Sequence, residues 1–268
     1  LHPRVRRQRQ MCIRDRHKII SMITAIIFLA GMFSVIPLTA VAYGTYGSLT
    51  YNTYDSDGDG VYDYLTIASC AQPVTEVEIP AEIDGVPVTE IQQYAFGGCN
   101  NLKNVIIPDR VVKIGKYAFY DCRSLKEITI PESVASIDNC AFKNCSVLET
   151  VLIKNPECEI YDSADTIFNN LIFDEETGED FNSINGIIYG YENSTAQAYA
   201  EKYGYNFKLF VQGDISKNDL IDLYDAIEVV KYIMKIRTFT ETDKQFADFT
   251  GNDAVDLYDA IEIARTLI

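Results

Sequence analysis

The chain has 268 residues, 47% of them hydrophobic, and a formal charge of −16; this is apolar enough to fold one or two domains and excludes wholesale disorder as the default. Its two histidines, His2 and His17, both lie near the N-terminus, so the remainder lacks the imidazole needed for a Ser-His-Asp or Cys-His nucleophile pair or a His-ligated zinc. Carboxylate-only glycosidase chemistry passes that filter, because two Asp/Glu side chains suffice for it.

Residues 1–16, LHPRVRRQRQMCIRDR, read as an artefactual leader of translated adaptor sequence and carry no functional weight. Residues 17–42 have the form of a signal peptide: Lys18 precedes an apolar run from Ile19 to Val41, and Ala40-Val41-Ala42 is a small-x-small cleavage site that makes Tyr43 the mature start. The run also reaches the roughly 20 apolar residues of a membrane span, so an uncleaved anchor is the alternative, and a membrane contact is expected only in that case. Export follows from either reading. Setting aside residues 1–42, which hold seven Lys/Arg and one Asp, takes the formal charge from −16 to −22. Such a surface repels nucleic acid and anionic lipid and suits divalent cations or basic partners.

Residues 43–64 form an N-terminal segment with an Asp-rich turn, Asp55-Ser56-Asp57-Gly58-Asp59-Gly60-Val61-Tyr62-Asp63. Asp55, Asp57, Asp59 and Asp63 fall at positions 1, 3, 5 and 9 of a calcium-loop spacing, with Gly60 at position 6. Position 12 is Thr66 and a strand-like stretch follows, so an acidic β-turn leading into the first strand is the competing reading.

A 23-residue repeat then fills the middle of the chain. Tyr94-Ala95-Phe96-x-x-Cys99-x-x-Leu102 returns as Tyr117-Ala118-Phe119-x-x-Cys122-x-x-Leu125 and as Cys140-Ala141-Phe142-x-x-Cys145-x-x-Leu148. Val105/Ile128/Val151, Ile107/Ile130/Ile153, Val88/Val111/Val134 and Ile91/Ile114/Ile137/Ile160 keep the same register. Val105-Ile106-Ile107 and Ile128-Thr129-Ile130 read as short strands closed by Pro108 and Pro131, which cannot donate to a continuing ladder. A single coil of this kind cannot bury its own apolar face, so neighbours must stack into a solenoid. The pattern resembles the BspA-like leucine-rich repeat family over about residues 65–160, with Ile79-Pro80-Ala81-Glu82-Ile83-Asp84-Gly85-Val86-Pro87-Val88 as an opening variant.

The acidic stretch 174–180 reads as a solvated loop. Beyond it, AQAYAEKY reads as a closing helix capped by Asn193 or Ser194 and stopped by Gly204, which puts the repeat domain with its cap at 65–211. Cys99, Cys122 and Cys145 share one repeat position and are expected as a column of small buried side chains. A disulfide between adjacent rungs, or of Cys140 or Cys158 with a neighbour, is the alternative that an exported chain leaves open.

A second duplication, offset by 34 residues, occupies 212–268: Asp214 to Asp225 matches Asp248 to Asp259, and each twelve-residue loop precedes an amphipathic helix, Ala226 to Lys235 and Ala260 to Leu267. Calcium takes six to eight oxygens, supplied by loop positions 1, 3, 5, 7, 9 and 12, with position 7 giving its carbonyl. Both loops fill positions 1 and 12 with Asp. This pair resembles type I dockerins, the calcium-binding modules that bind cohesins. By that resemblance Asp214, Ser216, Asn218, the Leu220 carbonyl and Asp225 hold one calcium, and Asp248, Thr250, Asn252, the Ala254 carbonyl and Asp259 the other. Asp222 and Asp256, at position 9, coordinate directly or through water. The cohesin-reading residues become Leu223, Tyr224, Leu257 and Tyr258, with Lys231 and Arg265 at matching basic positions. Position 6 departs from the family: Asp219 and Asp253 stand where Gly normally makes the turn, at some cost in backbone strain.

The expected architecture is therefore α+β and modular, a leucine-rich repeat solenoid followed by a small all-α dockerin with two calcium loops. The expected function is that of a non-catalytic secreted bacterial protein, docked to a cohesin on a cellulosome-type scaffold and presenting a repeat surface to an unidentified protein or carbohydrate. An enzymatic or accessory component of polysaccharide breakdown and a cell-surface adhesin are the alternatives. Once the repeats and cap are removed, Tyr43 to Ala71 and Glu157 to Ser183 are too short for a glycosidase cleft of ordinary domain size, and the absence of Trp weakens a sugar-stacking site.

Overall fold

A computed structural model of the chain describes residues 43–168, 171–173, 180–182, 186–218 and 220–268. The leader and signal segment expected over 1–42, the acidic residues 174–179 and Asp219 lie outside the described residues. Among those described, no helix is long and apolar enough to cross a membrane.

Strands β1 (Tyr43–Tyr46), β2 (Leu49–Tyr54) and β3 (Tyr64–Cys70) form an antiparallel meander. β4 (Glu76–Glu78) and the two-residue β5 (Glu82–Ile83) follow, the latter hairpinned onto β6 (Val86–Ile91) by the insert seen in the opening variant. From β3 onward the pairing is parallel: β6 joins it, and one short strand per coil extends the ladder through β8 (Lys113–Ile114), β10 (Ser136–Ile137) and β12 (Glu159–Ile160). Ile91, Ile114, Ile137 and Ile160 are successive partners in this ladder, so the 23-residue spacing has become a column of side chains.

The valine- and isoleucine-rich triplets also pair in parallel: β7 (Asn104–Ile106) forms a separate two-stranded sheet with β4, and β9 (Glu127–Ile130) pairs with β11 (Thr150–Ile153) to start a second ladder. Between the coils, Phe96, Phe119 and Phe142 stack face to face with centroid separations of 4.9 and 5.1 Å. All three are buried, as are Leu102, Leu125 and Leu148 and the Cys99–Cys122–Cys145 column. The Ala-Phe spacing thus fills the interior, and the described cysteines are thiols. Two turn positions went unread in the sequence. Tyr94, Tyr117 and Cys140 are left-handed, at φ 60°, 56° and 57°, and so are Gly98, Asp121 and Asn144 at φ 76°, 62° and 65°; the Gly/Asp/Asn identity of the second set was the available signal.

Where a solvated loop was expected over 174–180, Asp180 lies instead in β14 (Asp180–Asn182), which pairs antiparallel with β13 (Leu171–Phe173). β15 (Ile187–Gly190) returns to the second ladder beside β11. α1 (Thr195–Tyr203) closes the solenoid: Ser194 caps it by accepting from Gln197 N, and Gly204 ends it at φ 73°. Its Thr195 Oγ1 donates to Cys158 O at 2.6 Å and Tyr199 OH to Ser163 O at 2.9 Å, tying helix to last coil. β16 (Asn206–Leu209) completes the ladder as its edge strand, parallel to β15.

Three helices follow: α2 (Leu223–Ile233), α3 (Glu241–Ala247) and α4 (Leu257–Arg265). α2 and α4 start three residues before the expected Ala226 and Ala260, because Asp222 and Asp256 are N-caps in capping boxes with Asp225 and Asp259. α3 was not anticipated, although Thr240-x-x-Asp243 is itself a capping box. The tail packs onto the second ladder. Phe246 meets Tyr189 and Phe210 edge-on at 5.3 and 4.9 Å, Leu152 and Ile215 share their cluster, and Lys154 Nζ donates to Gln245 Oε1 at 3.1 Å.

Candidate metal centres and docking face

In the first tail loop Asp225 is fully buried and joins the loop's two ends: Oδ1 accepts Ser216 N at 2.9 Å and Oδ2 accepts Asp222 N at 2.8 Å. Asp214 Oδ1 accepts Ser216 Oγ at 3.2 Å and Asn218 N at 3.1 Å. Asn218 Oδ1 accepts Leu220 N at 2.9 Å, and Asp222 Oδ1 accepts Tyr224 N at 2.7 Å.

The second loop repeats the bonds at positions 5, 9 and 12 and differs at position 1. Asp259, equally buried, accepts Thr250 N at 2.9 Å and Asp256 N at 2.7 Å. Asp248 accepts Gly251, Asn252 and Asp253 N–H groups at 2.8–3.0 Å, Asn252 Oδ1 accepts Ala254 N at 2.9 Å, and Asp256 Oδ1 accepts Tyr258 N at 2.7 Å. Asp253 stands at φ 62°, so position 6 of this loop makes the left-handed turn with an Asp. Position 4 is left-handed too, at Lys217 (φ 57°) and Gly251 (φ 70°), which sequence reasoning did not single out.

Carboxylate, hydroxyl, amide and carbonyl oxygens from one short loop are the donor set of a hard cation, and Asp225 and Asp259, buried with backbone N–H groups as hydrogen-bond partners, fit a site completed by calcium. Position 7 is supplied by Leu220 and Ala254, both exposed.

The N-terminal Asp-rich turn closes the β2–β3 hairpin. Among the described residues it alone brings three acidic side chains within 4.8 Å of one another, Asp55, Asp57 and Asp63. Asp55 accepts Gly58 and Gly60 N–H at 2.7 and 2.9 Å, and Asp63 accepts Ser56 N at 2.7 Å and the Ser56 hydroxyl, which holds its carboxyl below the usual range. Asp59 is outside the cluster and accepts Val61 N at 2.7 Å. Thr66 is buried in β3, its Oγ1 accepting from Gln92, and stands apart from the turn.

Leu223, Tyr224, Leu257 and Tyr258 are 57–69% exposed on the first turns of α2 and α4, while Ala226, Val229, Ala260 and Ile263 of the same helices are buried in the core of the tail. Ile227 and Ile261, one turn on and also exposed, extend this apolar face; their i+4 spacing from Leu223 and Leu257 was the signal for them. Lys231 pairs with Glu228 at 2.7 Å and Arg265 with Glu262, so both basic residues are held to their own helices. Among the described residues the tail meets the solenoid through α3 and the first loop, and this apolar face is left uncovered. Residues 68–185 match the family of BspA type leucine rich repeat regions in six copies, and residues 212–268 match the type I dockerin domain.

Residues 68–185 are a BspA-type leucine-rich repeat region, and residues 212–268 are a type I dockerin domain.

Both are non-catalytic modules, and type I dockerins bind calcium and take cohesins as their partner type. BspA-type repeats and dockerins are typical of extracellular or surface bacterial proteins. Among solved structures the chain is similar to a leucine-rich repeat protein from Bacteroides ovatus, at 27% identity over 44% of this chain and 31% of that one, with a TM-score of 0.39. It is similar to a leucine rich cell surface protein from Faecalibacterium prausnitzii at 30% identity, 44% and 35% coverage and a TM-score of 0.34. A leucine-rich repeat protein from Bacteroides capillosus shares 23% identity over 56% of this chain and 99% of that one, at a TM-score of 0.44. The chain spans about a third of the length of the first two. No curated protein matches the chain.

Proposed function

We propose that this chain is a secreted, non-catalytic adaptor: its dockerin, loaded with two calcium ions, binds a cohesin on an extracellular scaffold of the polysaccharide-degrading type, and its repeat solenoid presents a surface to a further protein or carbohydrate. The observation that carries this reading is the paired dockerin face, Leu223-Tyr224 and Leu257-Tyr258 exposed on twin helices while the opposite side of the tail is occupied by the solenoid. Calcium at Asp214, Ser216, Asn218, Leu220, Asp222 and Asp225, and at Asp248, Thr250, Asn252, Ala254, Asp256 and Asp259, would replace backbone N–H groups as the carboxylates' partners and fix the first turns of α2 and α4. The near identity of the two loops gives the face a pseudo-twofold axis, so a cohesin can sit on it in two orientations. Lys231 and Arg265 border it. A third ion at Asp55, Asp57 and Asp63 belongs to the same reading, with Asp59 outside the set. A groove of about 500 Å³ beside α3, with Glu78, Arg110, Glu127 and Asp253 on its walls, is one place to look for the solenoid's ligand.

The test is capture of the full chain by a panel of immobilised cohesins, with calcium and with chelator. Binding to at least one cohesin in calcium and its loss in chelator are expected; binding unaffected by chelator, or none at all across the panel, contradicts the reading.

A further inference from the structure

The two tail loops match in their oxygens but not in their mounting on the solenoid. Position 4 is left-handed in both, and it is Lys217 at φ 57° in the first loop and Gly251 at φ 70° in the second. A long side chain at positive φ is strained and persists only where its surroundings fix it. Those of Lys217 do so. Its ammonium bonds Asp243 Oδ1 at 2.8 Å, with both side chains largely buried, and lies 5.2 Å from the centre of the Phe246 ring and 5.9 Å from that of Tyr189. Its carbonyl accepts Lys208 Nζ of β16 at 3.1 Å. The solenoid, directly and through α3, thus grips position 4 by side chain and backbone together. Gly251 has no such grip, and a Cβ there would meet nothing within 4 Å. The second loop's own tie, from Gln212 Nε2 to Asp248 O, reaches position 1 and comes from within the tail. Lys217 supplies no metal oxygen, but it stands between Ser216 and Asn218 at positions 3 and 5. Fixing its backbone constrains the directions in which those two ligands leave the chain.

We propose that Lys217 and Lys208 are positioning residues for the first calcium loop, through which the solenoid pre-orders that loop and raises its calcium affinity, with no such help to the second. The inference rests on the calcium loading proposed above. A loop that is ordered before the ion arrives loses less conformational freedom on binding. Linkage makes the effect reciprocal: if the docked solenoid favours calcium in the first loop, calcium there tightens the docking of α3. The two ammonium charges repel a cation and work against the ordering. That of Lys217 is balanced by the Asp243 carboxylate, so ordering outweighs repulsion, and the sign of the measured change separates the two effects.

The experiment titrates the full chain with calcium by calorimetry in two backgrounds, Asp259→Ala, which leaves the first loop to load, and Asp225→Ala, which leaves the second. In the first background Lys217→Met and Lys208→Met should each weaken calcium binding about tenfold. Lys217→Arg keeps a cation against Asp243 and the two rings and should stay near the parental value. In the second background none of the three should change the affinity. Hydrogen exchange gives a readout that a loss of affinity alone would not move: saturating calcium should slow the α3 amides in Asp259→Ala, and leave them unchanged in Asp225→Ala and in Asp259→Ala/Lys217→Met. First-loop affinity unchanged or raised in Lys217→Met, an equal loss in the second loop, or α3 exchange indifferent to calcium in Asp259→Ala would overturn the proposal while leaving calcium loading in place. A parent chain that takes up no calcium defeats the proposal together with the loading it rests on.

Discussion

Replacing Asp225 by alanine removes the side chain that ties the first dockerin loop to its helix. The carboxylate is buried, and it accepts Ser216 N at 2.9 Å and Asp222 N at 2.8 Å. A hydrogen bond to a charged acceptor contributes about 1.5–3 kcal/mol, and two that share one carboxylate sum to less than twice that, which puts the metal-free loss at about 2–4 kcal/mol. In calcium the loss grows, since the parent gains about 2.7 kcal/mol at one hundred times the dissociation constant and the variant forfeits that gain at this loop. Hydrogen exchange of α2 amides in the full chain reads the change locally: protection should fall about 30- to 800-fold in chelator and further in calcium. Asp259→Ala should do the same to α4. Unchanged protection of α2 in Asp225→Ala under both conditions would refute the reasoning.

Phe119→Ala removes the middle ring of the Phe96–Phe119–Phe142 stack and should destabilise the solenoid by about 3–5 kcal/mol in urea unfolding, with Phe119→Leu costing clearly less. Changing Leu223, Tyr224, Leu257 and Tyr258 together to alanine should abolish cohesin capture while calcium uptake, followed by calorimetry, stays at the parental stoichiometry. Tyr189→Ala takes away the ring that Phe246 and the Lys217 ammonium both face, so α3 amides should exchange faster while cohesin capture is retained. Burial pushes the Asp243 carboxyl up, but the Lys217 ammonium at 2.8 Å and the Thr240 bonds outweigh it and hold the group below its usual value. A lowered folded value means that this contribution is complete above the unfolded value of about 3.9 and fades as pH falls through the folded one. Acid exchange experiments should therefore show the first loop parting from α3 below about pH 4, flat behaviour from pH 5 to 8, and no such step in Asp243→Asn.

The solenoid was legible because a repeat states its own register: one coil's Phe96 or Ile91 finds its partner 23 residues on, and stacking converts that arithmetic directly into Phe119 and Ile114. The dockerin loops were legible for the same reason, their 34-residue offset reappearing as matched hydrogen bonds at Asp225 and Asp259. Non-repeating features were harder. α3 packs on Tyr189 and Phe210 through Phe246, a contact between distant segments that no local period announces, and the Asp180 strand depends on pairing with Leu171–Phe173 rather than on its own acidic composition. The helix starts at Leu223 and Leu257 were misjudged because Asp222 and Asp256 were read only as metal ligands, when the same oxygens also cap a helix.

The most direct measurement is calorimetric titration of the full chain with calcium, repeated on Asp225→Ala/Asp259→Ala. Calcium uptake in the parent, two ions of it lost in the double variant together with cohesin capture, is the predicted result. A double variant that takes up as much calcium as the parent, or that still captures cohesin, would contradict the account.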